Sequence, residues 1–96
     1  MRYHLAAALG VLLLSLAVNI TRTEFILLSL AIILVLVTEM LNTAIEVAVD
    51  MISEAYHPKA KIAKDIAAGV VLVASIGALI LAYLILYPAI REAVAT

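Results

Sequence analysis

The stretch FILLSLAIILVLVTEMLNTAIEVAVD, residues 25–50, changes character halfway along. Residues 25–37 are almost wholly apolar, and beyond them Glu39, Asn42, Glu46 and Asp50 recur at i, i+3, i+7 and i+11. At about 100° per residue on an α-helix, these four side chains share a sector of roughly 80°. Acids on a membrane helix are costly and normally face a protein interior or a wet cavity. A one-sided acidic stripe continuing an apolar helix is therefore where function is expected.

The rest of the chain supports a membrane setting. Its 96 residues are 68% hydrophobic, with a mean hydropathy of +1.27. A soluble domain of this length has too little interior for so much apolar surface. The formal net charge of −1 gives no basic field for nucleic acid. Without cysteine there is no disulfide, thiolate metal site or thiol nucleophile. Arg2 followed by the apolar residues 5–18 resembles a secretory signal, but the next segment is again a span, so a cleaved leader fits poorly.

Outward from residues 25–50, the pattern predicts an all-α integral membrane protein of one domain, residues 1–96, with three transmembrane helices. The first covers about 5–20, the second about 25–50 and the third about 60–87. Thr21-Arg22-Thr23-Glu24 is a polar turn between antiparallel helices, with Thr23 as the expected cap and Glu24 at the positive helix end. Residues 53–58 read as a loop. Pro58 suits a first helical turn, and Pro88 is the expected stop of the third helix. Arg2, Lys59, Lys61 and Lys64 fall on one side and Arg22 and Arg91 on the other, which places the amino terminus and second loop in the cytoplasm. Tyr83 and Tyr87 suit an interfacial belt at the far end. Glu46, Asp50 and the adjacent Lys64 and Asp65 then lie near the cytoplasmic boundary, with Glu39 ~16 Å further up the helix from Asp50.

The residue types suggest a chemistry. A desolvated carboxylate such as Glu39 can act as a general base toward a lipid hydroxyl. Glu46 and Asp50 are hard oxygen ligands suited to Mg²⁺, which keeps its waters and bridges phosphate oxygens. Lys64 offers a point charge for a phosphate, and Asn42 can orient either neighbouring acid. Phosphoryl transfer rests on positioning and charge neutralisation, so this set suffices. Blander readings stand beside each. Such stripes also build ion or proton paths, in a non-enzymatic or structural bundle. Asn42 also suits interhelical hydrogen bonding, and Lys59, Lys61 and Lys64 also suit topology charges. His57 also reads as a loop residue and His4 as an interfacial one. Gly69 and Gly77, among alanines, suggest close helix packing. No glycine-rich phosphate loop is present.

The segment Glu39-Met40-Leu41-Asn42-Thr43-Ala44-Ile45-Glu46 with Asp50 resembles the signature of the prokaryotic diacylglycerol kinase family. Glu54-Ala55-Tyr56-His57-Pro58 and Ala63-Lys64-Asp65 resemble its second block. The Asn-Thr pair, Tyr-His-Pro and Lys-Asp-Ile-Ala-Ala-Gly are similar to the undecaprenol kinase branch of Gram-positive bacteria. The resemblance implies a homotrimer with sites shared between subunits. It also implies transfer of phosphate from ATP, with Mg²⁺, to a membrane lipid alcohol: undecaprenol first, diacylglycerol next. The site would face the cytoplasm at the bacterial inner membrane. By position, Glu39 would be the catalytic base and Glu46 the metal ligand. Glu46, Tyr56, His57, Lys64 and Asp65 would contact ATP, supported by Asn42 and Asp50, with Arg2 and Glu39 at the lipid substrate. Family members normally begin with an amphipathic surface helix bearing nucleotide contacts and a second metal carboxylate. Residues 1–4 resemble the stretch just after that helix, so its absence, and that of one wall of the ATP pocket, is the expectation.

Overall fold

The computed structural model describes residues 2–52 and 57–95, and these form three α-helices: α1 (Arg2–Ala17), α2 (Arg22–Ile52) and α3 (Pro58–Ala95). The molecule measures 60 × 20 × 18 Å, a slender rod set by the lengths of α2 and α3. These two helices, of 31 and 38 residues, are long and apolar enough to cross a membrane. Only 11% of the apolar window of either one is buried, unlike the core helix of a soluble protein. Large apolar side chains such as Leu34, Val37, Leu72 and Leu79 are instead exposed along them. With no water-soluble way to shelter that surface, the chain is a membrane protein. Helix α1 has 16 residues. At 1.5 Å per residue that is ~24 Å, short of the ~30 Å hydrocarbon core.

The turn between α1 and α2 is built by a reciprocal cap. Thr21 Oγ1 accepts from the Glu24 backbone N–H at 3.1 Å, while Glu24 Oε1 accepts from the Thr21 N–H at 2.9 Å. The Phe25 N–H to Thr21 carbonyl bond, 3.0 Å, then starts the helix. The cap is therefore Thr21, not Thr23, because Glu24 must stand three residues after the capping threonine to bond back to it. Thr21→Ala is expected to lower stability by about 1 kcal/mol, read as earlier unfolding in mixed micelles. An unchanged transition would show that the cap contributes nothing. The first helix also ends at Ala17 rather than near residue 20. Ile20, apolar in sequence, serves the connection by packing on the Leu28, Ile85 and Leu86 cluster.

Helix α3 does not stop at Pro88 but runs through it to Ala95. Proline there removes one hydrogen bond, to the carbonyl of Leu84. The loss falls beside Tyr87, Arg91 and Glu92, at a polar helix end where water can satisfy the freed group. Tyr83 and Tyr87 stack nearby with ring centroids 5.3 Å apart.

Packing is uneven along the rod. The core joins Leu28 of α2 to Ile85 and Leu86 of α3, with Val11 and Val18 of the α1 side against them. Ser15 and Thr38 are buried too, and each donates its hydroxyl proton to a carbonyl of its own helix, Leu12 at 2.7 Å and Val35 at 2.9 Å. Such small, self-satisfied side chains let helices approach without stranding a polar group. The glycines do not serve this purpose within the protomer, contrary to the packing expected of Gly69 and Gly77. A Cβ at either would meet nothing within 4 Å. The tight end therefore holds the start of α2, and the acidic half of α2 lies at the looser end.

Candidate functional site at the acidic half of the second helix

Regular α-helix carries the stripe through all of its turns. The shared face is real, but the structure divides it into an inner and an outer part. Glu39 is inner, its side chain 14% exposed, and its Oε1 lies 3.0 Å from Nδ1 of His4 on α1. Asn42, one turn on, is half-buried, and its Oδ1 is buried with no hydrogen-bond partner. It offers an acceptor to a ligand, since a buried polar atom left alone is costly. Thr43 Oγ1 donates to the Glu39 carbonyl at 3.1 Å, turning its hydroxyl into the helix. Glu46 and Asp50 are exposed.

The outer part gains a partner from α3. Lys64 Nζ meets Asp50 Oδ1 at 2.5 Å, joining residues that lie on different helices. Asp65 pairs instead with Lys61, at 2.6 Å and one turn back. Lys64 and Asp65 therefore share no ion pair with each other, because successive residues of a helix point about 100° apart. His57 caps α3: its Nδ1 accepts the Lys59 N–H at 3.1 Å, and its carbonyl accepts the Lys61 N–H. Pro58 comes next, at the first helical position, where its missing N–H costs nothing. Tyr56, expected at the nucleotide, lies outside the described residues. Arg2 stacks its guanidinium over the Tyr3 ring at 5.4 Å, two residues before His4.

His4, expected only as an interfacial side chain, is brought by the fold into contact with Glu39 of the stripe. No local pattern marks it, since its contact comes from a different helix. His4 also lines an apolar cavity of about 270 Å³ between all three helices, which reaches Leu28, Ser75 and Leu79. A carboxylate held against a wall residue of an apolar slot suits a substrate with a hydroxyl head and a hydrocarbon body.

Among the described residues, no group of three or more His, Asp or Glu side chains could hold a metal ion unaided. The donor set does fit the way Mg²⁺ is carried by nucleotides, through one or two carboxylates with phosphates and water completing the shell. Glu46 is exposed and supplies such a carboxylate, while Asp50, one turn further on, is held by Lys64.

Three helices, two of them long and apolar enough to span a membrane, with a buried acid inside and charged groups two turns further out, define a small all-helical membrane protein. Similarity to known proteins narrows that class. The profile of the family described as prokaryotic diacylglycerol kinase matches residues 1–86. Undecaprenol kinase of Bacillus subtilis (strain 168) is 41% identical over 87 residues, covering 91% of this chain and 71% of that protein. Diacylglycerol kinase of Synechocystis sp. (strain ATCC 27184 / PCC 6803 / Kazusa) is 52% identical over 56 residues, covering 57% of this chain and 32% of that protein. The chain belongs to the prokaryotic diacylglycerol kinase family.

Proposed function

We propose that the protein transfers the γ-phosphate of ATP to the hydroxyl of a membrane lipid alcohol, with undecaprenol the first candidate and diacylglycerol the second. The observation that carries this reading is the position of Glu39. It is a largely buried carboxylate in contact with His4, a wall residue of an apolar cavity, with the charged residues further out along the same face. In the proposed reaction the lipid hydroxyl oxygen bonds to the γ-phosphorus and its proton passes to the Glu39 carboxylate. The bond from phosphorus to the β–γ bridging oxygen breaks, and ADP leaves with that electron pair. Asn42 accepts a hydrogen bond from substrate through Oδ1. Lys64 places its charge against the phosphates, moving from Asp50 to do so, and Asp65 and His57 frame the nucleotide at the start of α3. Mg²⁺, bound with the nucleotide and held by Glu46, would neutralise phosphate charge. Arg2 sits near the lipid headgroup.

The same reading makes all three helices membrane-spanning, orients the site to the cytoplasmic face of the bacterial inner membrane, and assembles three protomers around shared sites. Support comes from the distribution of charge: Lys59, Lys61 and Lys64 gather at the end of the rod that holds the outer stripe, and Arg2 starts α1 near its inner acid, Glu39. The test is a side-by-side assay of phosphate incorporation from ATP into undecaprenol and diacylglycerol in mixed micelles, with and without Mg²⁺. Incorporation that requires Mg²⁺ is expected, with undecaprenol preferred. No incorporation into either lipid would overturn the reading.

A further inference from the structure

We propose that His4 is a positioning residue for the base, holding the Glu39 carboxylate from a neighbouring helix. This deepens the kinase reading and rests on Glu39 as its base. Three observations converge. His4 Nδ1 and Glu39 Oε1 are 3.0 Å apart, a contact that puts an Nδ1 proton within reach of the carboxylate. The acid is mostly buried, so a donor on it acts in a poorly solvated setting, where bonds to ionised groups are strong. The cavity that would take the hydrocarbon of the substrate is lined by His4 itself, so the imidazole sits where lipid and base meet.

The geometry also says why the group comes from α1. Counting inward from the Asp50–Lys64 contact, eleven residues along each antiparallel helix, Glu39 stands level with Ser75. Helix α3 has no ionisable side chain between Asp65 and Tyr83. Glutamate has three rotatable bonds, and a misplacement of ~1 Å at a reacting group can cost about 10²-fold in rate. Helix α1 is fixed at its other end by Ser15, buried in the bundle, and by Val11, packed at the core. It therefore presents His4 to Glu39 from an anchored helix.

The experiment uses the full chain in micelles and compares His4→Leu, His4→Asn and His4→Asp. Asparagine places an N–H donor near the position of Nδ1, whereas aspartate has the same shape and no donor. His4→Leu and His4→Asp are expected to lower kcat by roughly 10- to 100-fold with KM for ATP unchanged, and His4→Asn to keep most of the parental kcat. If His4→Leu fails to fold, the isosteric Asn and Asp variants carry the comparison alone. Parental kcat in the aspartate variant, or an asparagine variant as impaired as aspartate, would overturn the proposal. An inactive parent chain would instead count against the kinase reading itself.

Discussion

Glu39→Gln is expected to lower phosphate transfer to lipid by roughly 10²- to 10⁴-fold, the usual contribution of a positioned general base. Glutamine keeps the length and volume of glutamate and still offers an oxygen to His4 Nδ1, 3.0 Å away in the parent. What it lacks is a carboxylate able to take the hydroxyl proton. Folding should be intact, because the helix is held by the Leu28, Ile85 and Leu86 cluster at the opposite end of the rod. Initial rates with saturating lipid and ATP, together with a helical circular dichroism spectrum matching the parent, measure the effect. A folded glutamine variant with parental activity would remove Glu39 from the chemistry.

Lys64→Gln is expected to cost roughly 10²- to 10³-fold in kcat/KM for ATP, comparable to removing a charged stabiliser of a transferring group. Lys61→Gln should leave the rate nearly unchanged. The contrast arises from what each lysine touches. Lys61 pairs with Asp65 one turn along the same helix, and both side chains are more than half exposed. Such pairs are worth about 0.3–0.5 kcal/mol. Lys64 reaches across to Asp50, bridging α3 to the acidic stripe. That bridge is exposed as well, with side-chain exposures of 38% and 65%, so its contribution to stability is small. A large loss in Lys64→Gln therefore reports on the nucleotide and not on the fold. Measuring KM for ATP and for lipid separately checks this, with the defect expected on the ATP side. Equal defects in Lys61→Gln and Lys64→Gln would reduce both to general surface charge.

The positions of α2 and α3 were legible in the sequence because they come from unbroken apolar runs, and a helix must satisfy its own backbone in lipid. The acidic stripe was legible for the same reason: spacing along one helix fixes a shared face without help from any neighbour. Thr21-Arg22-Thr23-Glu24 also carried its capping signal, although the partner of Glu24 is the threonine three residues before it. Pro88 misled because α3 runs on through it, and the one bond it removes falls where water can replace it.

What the order of residues determined about this protein is local: three helices, one face of acids, and the family that its motifs share. Which side chain meets which across the bundle was decided by tertiary structure. His4 reaches Glu39 because α1 and α2 run antiparallel and pack through Val11, Val18 and Leu28. Lys64 turns to Asp50 rather than to its neighbour Asp65 because helical geometry separates successive residues and brings the outer turns of α2 and α3 together. Contacts between helices depend on the rotation and register of each, and those are set by how small and large side chains interlock, not by the spacing within any one of them.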